Sequence, residues 1–475
     1  MKKRYVTLIV CLSVFMQACE TRPLSTPEAY SPTQPETVQI SPSYTPSPFA
    51  STTPPAPPAV EVLDTPTCSP TFTPLSTLEP DQAVPLVDMD VMDESGGWGI
   101  EENGHIVHTK DGGITWEDVT PPQGAYNADG FFALDAQTAW ASPYCLGSLY
   151  GGDSPYFCQG SINQTNVWRT RDGGNTWLAS LPLCVSEGCN HLVSSGGDGS
   201  LLPESIRFID PDHGWLVISR GSSMYQNRYN GFSTSDGGRH WEFLLSAWTN
   251  TIISGSIAAL EPLDGGKLFL FTNQAHGAAD PHNDLEYSDS VDGGRTWRGG
   301  YDDFPIPAIH PSADLNTPSP GAKFPRCGTV ESKAIPPLVL DLTQECSYFS
   351  ESGQMTYYFF HLHSDNGGET WNYWQQTGDV DFIDARTGWQ MVSKGEQMHE
   401  IQRTLDGGRT WSVVKPVAWD GVLDFVDERI GYALAYDRGV MAVMFTADGG
   451  STWEIRSQGT LARVPCLISN WDGCY

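Results

Sequence analysis

Short stretches in which apolar and polar residues alternate recur along the chain, and they predict β-strands. One stretch, Val167-Trp168-Arg169-Thr170, comes before a glycine-rich turn, and Thr176-Trp177-Leu178 follows that turn. A period of two places successive side chains on opposite faces of a strand. The two stretches and the turn between them therefore predict a β-hairpin.

A second pattern precedes most of these hairpins and predicts two further strands. Ile206–Asp210 is followed by Gly214–Val217, with Phe208 and Trp215 as the aromatic residues. The pattern recurs at Val380–Asp384 with Gly388–Met391, at Leu423–Asp427 with Gly431–Leu434, and in weaker form at Val87–Ile100 and Phe131–Ser142. The fourth copy, Ile257–Leu260 with Lys267–Thr272, lacks the aromatic residue, and the fifth, near Leu338–Leu342, is the most degraded. Two strands plus a hairpin give four strands per unit.

The turn has the pattern Ser/Thr-x-Asp/Asn-Gly-Gly-x-Thr/His-Trp, and we call its copies the DGG turns. The seven copies are Thr109–Trp116, Thr170–Trp177, Thr234–Trp241, Ser290–Trp297, Ser364–Trp371, Thr404–Trp411 and Thr446–Trp453. Their acidic or amide residues are Asp111, Asp172, Asp236, Asp292, Asn366, Asp406 and Asp448, and their tryptophans are Trp116, Trp177, Trp241, Trp297, Trp371, Trp411 and Trp453. Asn366 and His240 are the two departures from the pattern.

The residue types suit a hairpin tip. An aspartate accepts hydrogen bonds from backbone N–H groups of its own turn, and paired glycines allow positive φ angles. The tryptophan buries a large ring between layers. Asp406 lies 40 residues after Asn366 and Asp448 lies 42 residues after Asp406, which is the length of one propeller blade.

The turn resembles the Asp-box, or BNR repeat, and the whole unit is similar to the seven-bladed propellers of the photosystem II assembly/stability-factor family. The resemblance covers about residues 84–457. It implies an all-β, seven-bladed β-propeller of four-stranded blades. The same turn occurs in sialidases, sortilin-type receptors and xyloglucan-cleaving glycosidases, so the resemblance specifies a fold and not an activity.

We expect the seven Asp/Asn residues to be structural, because they would lie on separate blades, and catalytic carboxylate pairs lie about 5 to 10 Å apart. A sialidase needs three converging arginines and an early Arg-Ile-Pro motif, whereas no arginine lies between Arg22 and Arg169. Metalloprotease, serine-hydrolase and phosphate-binding motifs are also missing. The sequence predicts no catalytic residue, no cofactor and no metal site.

The N-terminus predicts export. Lys2, Lys3 and Arg4 precede an apolar run, Val6–Met16, which is shorter than the about 20 residues of a membrane-spanning helix. The run ends in Met16-Gln17-Ala18-Cys19, which resembles a bacterial lipobox. The resemblance implies a signal peptide over residues 1–18, a lipid on Cys19 and an extracytoplasmic, membrane-anchored protein. The alternative is an ordinary cleaved signal.

The composition of residues 19–475 indicates two regions, and their net charge limits the ligands that the chain can bind. Residues 19–83 are rich in Pro, Ser and Thr and predict a disordered tether, and residues 84–475 form the propeller. Loss of Lys2, Lys3 and Arg4 changes the net charge from −31 to −34. Such a chain repels nucleic acid, so we expect neutral or cationic ligands.

Eleven cysteines fit an oxidising compartment. Eight of them fall in the propeller as sequence-local pairs whose spacing favours disulfides over zinc. The candidate pairs are Cys145 with Cys158, Cys184 with Cys189, Cys327 with Cys346, and Cys466 with Cys474.

All long insertions belong to one face of the predicted ring, opposite the DGG turns. They are Pro143–Asn166, Pro182–Glu204, Ser219–Gly231, Asn273–Leu285 and Gly299–Ala334. Loops on a rigid scaffold commonly carry function, and Tyr156, Tyr225, Arg228 and Tyr229 are our candidates for a protein- or glycan-binding surface. Three readings stay open: a non-catalytic binding or assembly scaffold, a carbohydrate-binding or glycoside-hydrolase surface protein, and a structural envelope protein.

Overall fold

The computed structural model describes residues 71–72, 84–122, 124–145, 158–159, 164–184, 202–223, 226–246, 256–273, 285–299, 326–349, 355–376, 378–395, 398–437 and 440–460. All of them fall within the structural unit Pro66–Tyr475. The described part is a propeller of seven antiparallel, four-stranded sheets, each with its strands paired in chain order. The predicted fold class is therefore confirmed.

Each blade is one uninterrupted segment of the chain. Blade 1 comprises β2 (Leu86–Val91), β3 (Gly97–Glu101), β4 (Ile106–Thr109) and β5 (Glu117–Asp118); blade 2 comprises β6 (Phe131–Ala133), β7 (Ala139–Ala141), β10 (Trp168–Thr170) and β11 (Leu178–Ala179). Blade 3 comprises β13 (Leu202–Phe208), β14 (Gly214–Ser223), β15 (Gln226–Thr234) and β16 (Glu242–Ser246); blade 4 comprises β17 (Ser256–Leu263), β18 (Lys267–Asn273), β19 (Leu285–Ser290) and β20 (Arg298–Gly299). Blade 5 comprises β21 (Arg326–Ile335), β22 (Val339–Phe349), β23 (Met355–Ser364) and β24 (Asn372–Gln376); blade 6 comprises β25 (Val380–Phe382), β26 (Gly388–Ser393), β27 (His399–Thr404) and β28 (Ser412–Val417). Blade 7 comprises β29 (Asp420–Phe425), β30 (Gly431–Asp437), β31 (Val440–Thr446) and β32 (Glu454–Thr460).

Four two-residue strands lie outside the blades. β1 (Thr71–Phe72) pairs with β8 (Cys158–Gln159), and β9 (Gln164–Thr165) pairs with β12 (Leu183–Cys184). β1 falls within residues 19–83, the segment for which the sequence predicts a disordered tether. Short 3₁₀ turns occupy Ala128–Gly130 and Asp264–Gly266. No helix in the described ranges is long and apolar enough to cross a bilayer.

Every DGG turn joins the third and fourth strands of a blade, as predicted. In blade 1, Asp111 Oδ1 accepts hydrogen bonds from Thr115 N at 2.8 Å and from Thr109 Oγ1 at 3.0 Å, and its Oδ2 accepts one from Thr115 Oγ1 at 2.6 Å. Gly112 and Gly113 have φ angles of 69° and 83°, which a Cβ atom would disfavour. Asn366 Oδ1 likewise accepts from Ser364 Oγ and from Thr370 N, but its Nδ2 donates to Thr370 Oγ1, reversing the direction of the third bond.

The turn between the first and second strands of a blade lies on the same face as the DGG turn. Gly112 N donates to Ser95 O, and Gly407 N donates to Arg386 O. We call this side the DGG face. The opposite side, which carries the connections from second to third strand and from blade to blade, is the linking face.

The core lies in the seams between neighbouring blades. Among the described residues, six apolar clusters occupy six of the seven seams. The seam between blades 5 and 6 has no such cluster. It contains the imidazoles of His361 and His363 packed with Phe382, Trp374 and Trp411. Its composition sets it apart from the rest of the ring.

The ring closes by packing, because blades 7 and 1 do not exchange strands. Leu86 and Val91 of blade 1 form one apolar cluster with Tyr432 and Leu434 of blade 7. Tyr432 also donates its hydroxyl hydrogen to Glu94 O at 2.9 Å. The first blade is complete by itself, as its sequence had indicated.

Candidate functional site

The first strand of each blade lies at the central axis, and one equivalent position on these strands forms a ring of side chains. The position is the register partner of the aromatic residue in the second strand, as with Asp90 opposite Trp98 and Asp381 opposite Trp389. Its seven occupants are Asp90, Phe132, Arg207, Glu261, Lys333, Asp381 and Asp424. Four acids, two bases and one phenylalanine therefore line the axis, and we call them the inner ring.

The positive charge of Lys333 lies among three of these acids. Lys333 Nζ donates to Asp381 Oδ1 at 2.6 Å. Burial works against its charge, but Asp381, Asp424 and Asp90 together raise the pKa of Lys333 above its ordinary value. Residues from blades 1, 5, 6 and 7 thus act on one another across the axis.

Carboxylates of the inner strands also bind the backbone of the next blade. Asp381 Oδ2 accepts a hydrogen bond from Phe425 N at 2.6 Å, and Asp379 Oδ2 accepts one from Leu423 N at 2.7 Å. These bonds satisfy N–H groups at the free edge of β29. Similar bonds join Val91 N to Asp424 Oδ2 at 2.6 Å and Ala334 N to Glu261 Oε2 at 3.1 Å.

A second layer of carboxyl groups lies closer to the linking face. The first strands run toward the DGG face, so residues two or three places before the inner ring lie nearer the linking face. The members of this layer are Asp88, Asp129, Glu204, Glu331 and Asp379. These five acids come from blades 1, 2, 3, 5 and 6, whereas blades 4 and 7 have no acid at the equivalent positions, and we call the five the acidic mouth.

The acidic mouth holds protons unusually well. Burial raises the pKa of Asp129 to about 6, and burial together with the charge of Asp129 raises the pKa of Glu204 to about 7. Burial raises the pKa of Asp379 to about 8, with Glu331 and Asp381 adding repulsion. The folded state therefore binds more protons than the unfolded chain between about pH 4 and pH 8, and these groups reduce stability as the pH rises through that window.

Such a site is built to receive positive charge or hydrogen-bond donors. Its carboxyl groups outnumber Arg207 and Lys333, and a cationic ligand would relieve their mutual repulsion. Across the described ranges, no three His, Cys, Asp or Glu side chains are grouped as metal ligands.

The predicted turn residues do not join this site. Each described DGG acid or amide bonds within its own turn on the opposite face, as Asp448 does with Thr446 and Thr452. Trp297 and Trp453 donate to carbonyl groups of their own turns, Gly294 O and Gly450 O.

Only some of the cysteines for which pairs are predicted lie within the described residues. Cys145 is buried and disulfide-bonded. Cys327 lies opposite Cys346 in the register of β21 and β22, a placement compatible with the predicted pair. Cys158 and Cys184 lie in β8 and β12, while Cys19, Cys189, Cys466 and Cys474 lie outside the described residues. All four pairings stay predictions.

Part of the ligand surface predicted on Ser219–Gly231 lies within the described residues. Ser219–Ser223 and Gln226–Gly231 belong to the paired strands β14 and β15. Tyr229 is only 2% exposed and packs with Trp215 and Leu260 in the seam between blades 3 and 4. It belongs to the core because strand alternation continues through it. The backbone of Arg228 lies in β15, and Tyr156 and Tyr225 lie outside the described residues.

Sequence reasoning missed the inner ring and the acidic mouth. The available signal was alternation of acid and apolar residues within inner strands, as in Asp88-Met89-Asp90 and Asp379-Val380-Asp381. In an ordinary sheet this alternation indicates one solvated face. In the first strand of a propeller blade, the polar face of this alternation is directed toward the central axis.

No protein-family model matches the chain, and no curated protein matches it. Similar solved structures include YCF48 bound to D1 peptide, at 15% identity and a TM-score of 0.40, with 80% of this chain and 99% of that chain covered. YCF48 from Cyanidioschyzon merolae is similar at 18% identity and a TM-score of 0.39, covering 79% and 98%. The GH74 xyloglucanase from Xanthomonas campestris is similar at 12% identity and a TM-score of 0.44, covering 80% and 55%. At these values the similarities carry no argument about activity or partner.

Proposed function

We propose that this propeller is a non-catalytic binding scaffold whose linking face receives a cationic segment of a protein partner. The observation that carries the proposal is the acidic mouth, in which Asp129 and Glu204 stand close enough for one charge to raise the other's pKa. Clustered like charges are costly to a folded protein, and a ligand that neutralises them offsets that cost.

The sequence supports a location for this scaffold outside the cytoplasm. The basic start, the short apolar run and Cys19 together suit a lipid-anchored protein with its propeller on a Pro-rich tether. The seven blades give a rigid platform, and the longest connections arise on the same face as the acidic mouth. The partner would therefore meet both the loops and the mouth.

The binding proposal predicts a loss of affinity when the mouth is neutralised. In low salt at about pH 9, where Glu204 and Asp379 are ionised, the full chain should bind a Lys/Arg-rich peptide. The double substitution Glu204→Gln/Asp379→Asn should weaken that binding by about tenfold or more, or about 1.4 kcal/mol. Isothermal titration calorimetry measures the change. The matched control Glu242→Gln/Glu369→Gln removes two charges from exposed positions outside the mouth and should bind as the unaltered chain does.

Equal binding by both double variants would contradict the proposal, and no binding by any of them would favour a structural envelope protein. A carbohydrate-active protein is the second candidate, because a general acid needs a raised carboxyl pKa such as that of Glu204. Hydrolysis in a fluorogenic glycoside panel that is lost in Glu204→Gln would favour that candidate instead.

The anchor proposal predicts a change of cell fraction. A Cys19→Ser variant of the full chain should move from the membrane fraction to the soluble extracytoplasmic fraction, because it lacks the thiol to which the lipid would be attached. Immunoblotting of separated fractions measures this. A Ser13→Ala variant alters the apolar run without touching the lipid site and serves as the control. Retention of Cys19→Ser in the membrane fraction would contradict the proposal.

A further inference from the structure

Blade 5 departs from the other blades in one row of residues. The second-strand position that holds Trp98, Trp140, Trp215, Phe269, Trp389 or Tyr432 elsewhere holds Asp341 in blade 5. Asp341 lies opposite Lys333 of the inner ring on one side and opposite His363 on the other. A carboxylate and an imidazole therefore take the place of a large apolar ring.

His363 is placed between two hydrogen-bond acceptors. Its Nδ1 lies 2.7 Å from Asp341 Oδ1, and its Nε2 lies 3.1 Å from the backbone oxygen of Ala385 in blade 6. An ionised carboxylate and a carbonyl can only accept. Both ring nitrogens must therefore carry hydrogen, which makes His363 an imidazolium. The residue is fully buried and its ring stacks on Phe382 at 4.4 Å.

His361 supplies the neutral partner in this cluster. Its Nε2 lies 3.3 Å from Asp341 Oδ1 and its Nδ1 lies 2.9 Å from Thr343 Oγ1. The hydroxyl hydrogen of Thr343 satisfies Nδ1, so Nε2 donates to the carboxylate. Burial lowers the pKa of His361, in keeping with a neutral ring. Asp341 thus binds one charged and one neutral imidazole.

Hydrogen bonds equivalent to that between His363 and Ala385 O are found at the other seams. Their donors are groups that do not titrate near neutral pH. In those seams a side chain of one blade donates to a backbone oxygen of the next blade's turns, as Trp140 does to Gly237 O at 3.0 Å and Trp389 to Gly449 O at 3.0 Å. The other donors are Trp98, Trp215, Tyr432 and Lys267. Indole, phenol and ammonium groups all keep their hydrogen at pH 7.

His108 of blade 1 is the natural comparison for His363. It occupies the equivalent third-strand position, opposite Trp98, and its Nε2 contacts Ala136 O at 2.8 Å. Its Nδ1 has no hydrogen-bond partner among the described residues, and burial lowers its pKa. A neutral histidine in this position can therefore donate the hydrogen bond across the seam when the residue opposite it is not a carboxylate.

We propose that the seam between blades 5 and 6 is a pH-sensitive joint, closed by the imidazolium of His363 and loosened when His363 loses its proton. Deprotonation leaves either Nδ1 facing the carboxylate of Asp341 or Nε2 facing Ala385 O without a hydrogen. Trp374 of blade 5 and Phe382 and Trp411 of blade 6 pack beside these imidazoles. The loss therefore falls on the polar contacts of the His363 ring with Asp341 and with the backbone of blade 6.

The charged groups around His363 agree with this assignment. Burial alone would lower its pKa, but the hydrogen bond and charge of Asp341 and the charge of Asp365 raise it above 6.5. Arg409, from the DGG turn of blade 6, lies with His363 Nε2 beside Gly407. Its guanidinium charge opposes the imidazolium. From β25 come the ring of Phe382 and, beside it in sequence, Asp381, whose charge acts on Asp341.

The direction of the pH effect follows from the raised pKa of His363. Its stabilising contribution is complete below the unfolded pKa of about 6.5 and is lost as the pH rises through the folded value. His361 and His108, with lowered pKa values, act in the opposite sense and reduce stability as the pH falls below about 6.5.

Histidine-selective NMR of the full chain tests the proposal directly. With signals assigned from His363→Gln and His108→Gln, His363 should titrate above pH 6.5 and His108 below it. In Asp341→Asn the pKa of His363 should fall below 6.5. A pKa of 6.5 or less for His363 in the unaltered chain would overturn the proposal, and that measurement does not depend on the folding of Asp341→Asn.

Hydrogen exchange supplies the structural readout. After correction for intrinsic rates, amides of residues 380–385 should exchange at least about tenfold faster at pH 9 than at pH 6, while amides of residues 423–425 in the seam between blades 6 and 7 change much less. In the His363→Gln variant, the amides at both seams should show the same change in exchange rate between pH 6 and pH 9. Equal acceleration at both seams in the unaltered chain would overturn the proposal.

Discussion

Replacing Trp389 with alanine should lower the free energy of unfolding by about 3–5 kcal/mol. The indole is fully buried, stacks on Phe425 of blade 7 with ring centroids 3.7 Å apart, and donates from Nε1 to Gly449 O at 3.0 Å. Arg403 lies over its other side, with Cζ 4.8 Å from the ring. Alanine leaves a cavity in the seam and an acceptor without its donor. Urea unfolding followed by circular dichroism measures the loss.

Two further variants separate the contributions at this seam. Trp389→Phe keeps a stacking ring but removes the donor, so its loss should be smaller than that of Trp389→Ala by at least about 1 kcal/mol. Trp140→Ala should match Trp389→Ala, because Trp140 stacks on Phe208 at 3.6 Å and donates to Gly237 O in the same way. A loss below about 1 kcal/mol for both alanine variants would show that the seams do not depend on these rings.

Replacing Asp381 with alanine should cost about 3 kcal/mol at pH 7. Asp381 is 5% exposed, binds Lys333 through one oxygen and satisfies Phe425 N through the other. Alanine leaves a buried backbone N–H without a partner and Lys333 without its closest carboxylate. The half-exposed side chain of Lys333 retains some solvation, which keeps the cost near the lower end for a broken buried pair.

The substitution Asp381→Asn provides the matched control. The amide oxygen can still accept from Phe425 N, so only the charge interaction with Lys333 is lost. We expect about half the destabilisation of Asp381→Ala, measured by the same urea unfolding. Equal losses in the two variants would show that the backbone hydrogen bond contributes little and that the ion pair carries the effect.

The sequence predicts the fold well because its strongest pattern is local. Seven turns with two glycines each, such as Gly407 and Gly408, require positive φ angles and specify hairpins without reference to the rest of the chain. The upstream aromatic pattern supplies the other two strands. Even the weak fifth copy forms a complete sheet, because long strands β21 to β23 extend its hydrogen bonding beyond the degraded segment.

The candidate site is less predictable because it depends on which strands meet at the axis. Asp90 and Lys333 are more than two hundred residues apart in sequence, yet they interact: burial raises the pKa of Asp90 to about 6, and the charge of Lys333 opposes that rise. No local pattern encodes such a meeting. His363 illustrates the same limit, because its protonation follows from Ala385 O of a neighbouring blade and from Asp341, which replaces the expected aromatic residue.

The closure between blades 7 and 1 has a mechanical consequence. Every other seam is bridged by the chain itself, whereas this one is joined by side-chain contacts such as those of Asp424 with Val91 and of Tyr432 with Glu94. The residues leading into blade 1 at Val84 and Pro85 run beside Gly459 in the last strand. Load applied at Val84 and Pro85 therefore acts on a boundary whose side-chain contacts can separate while the sheets of blades 7 and 1 stay intact. Load applied further toward the N-terminus first meets the pairing of β1 with β8.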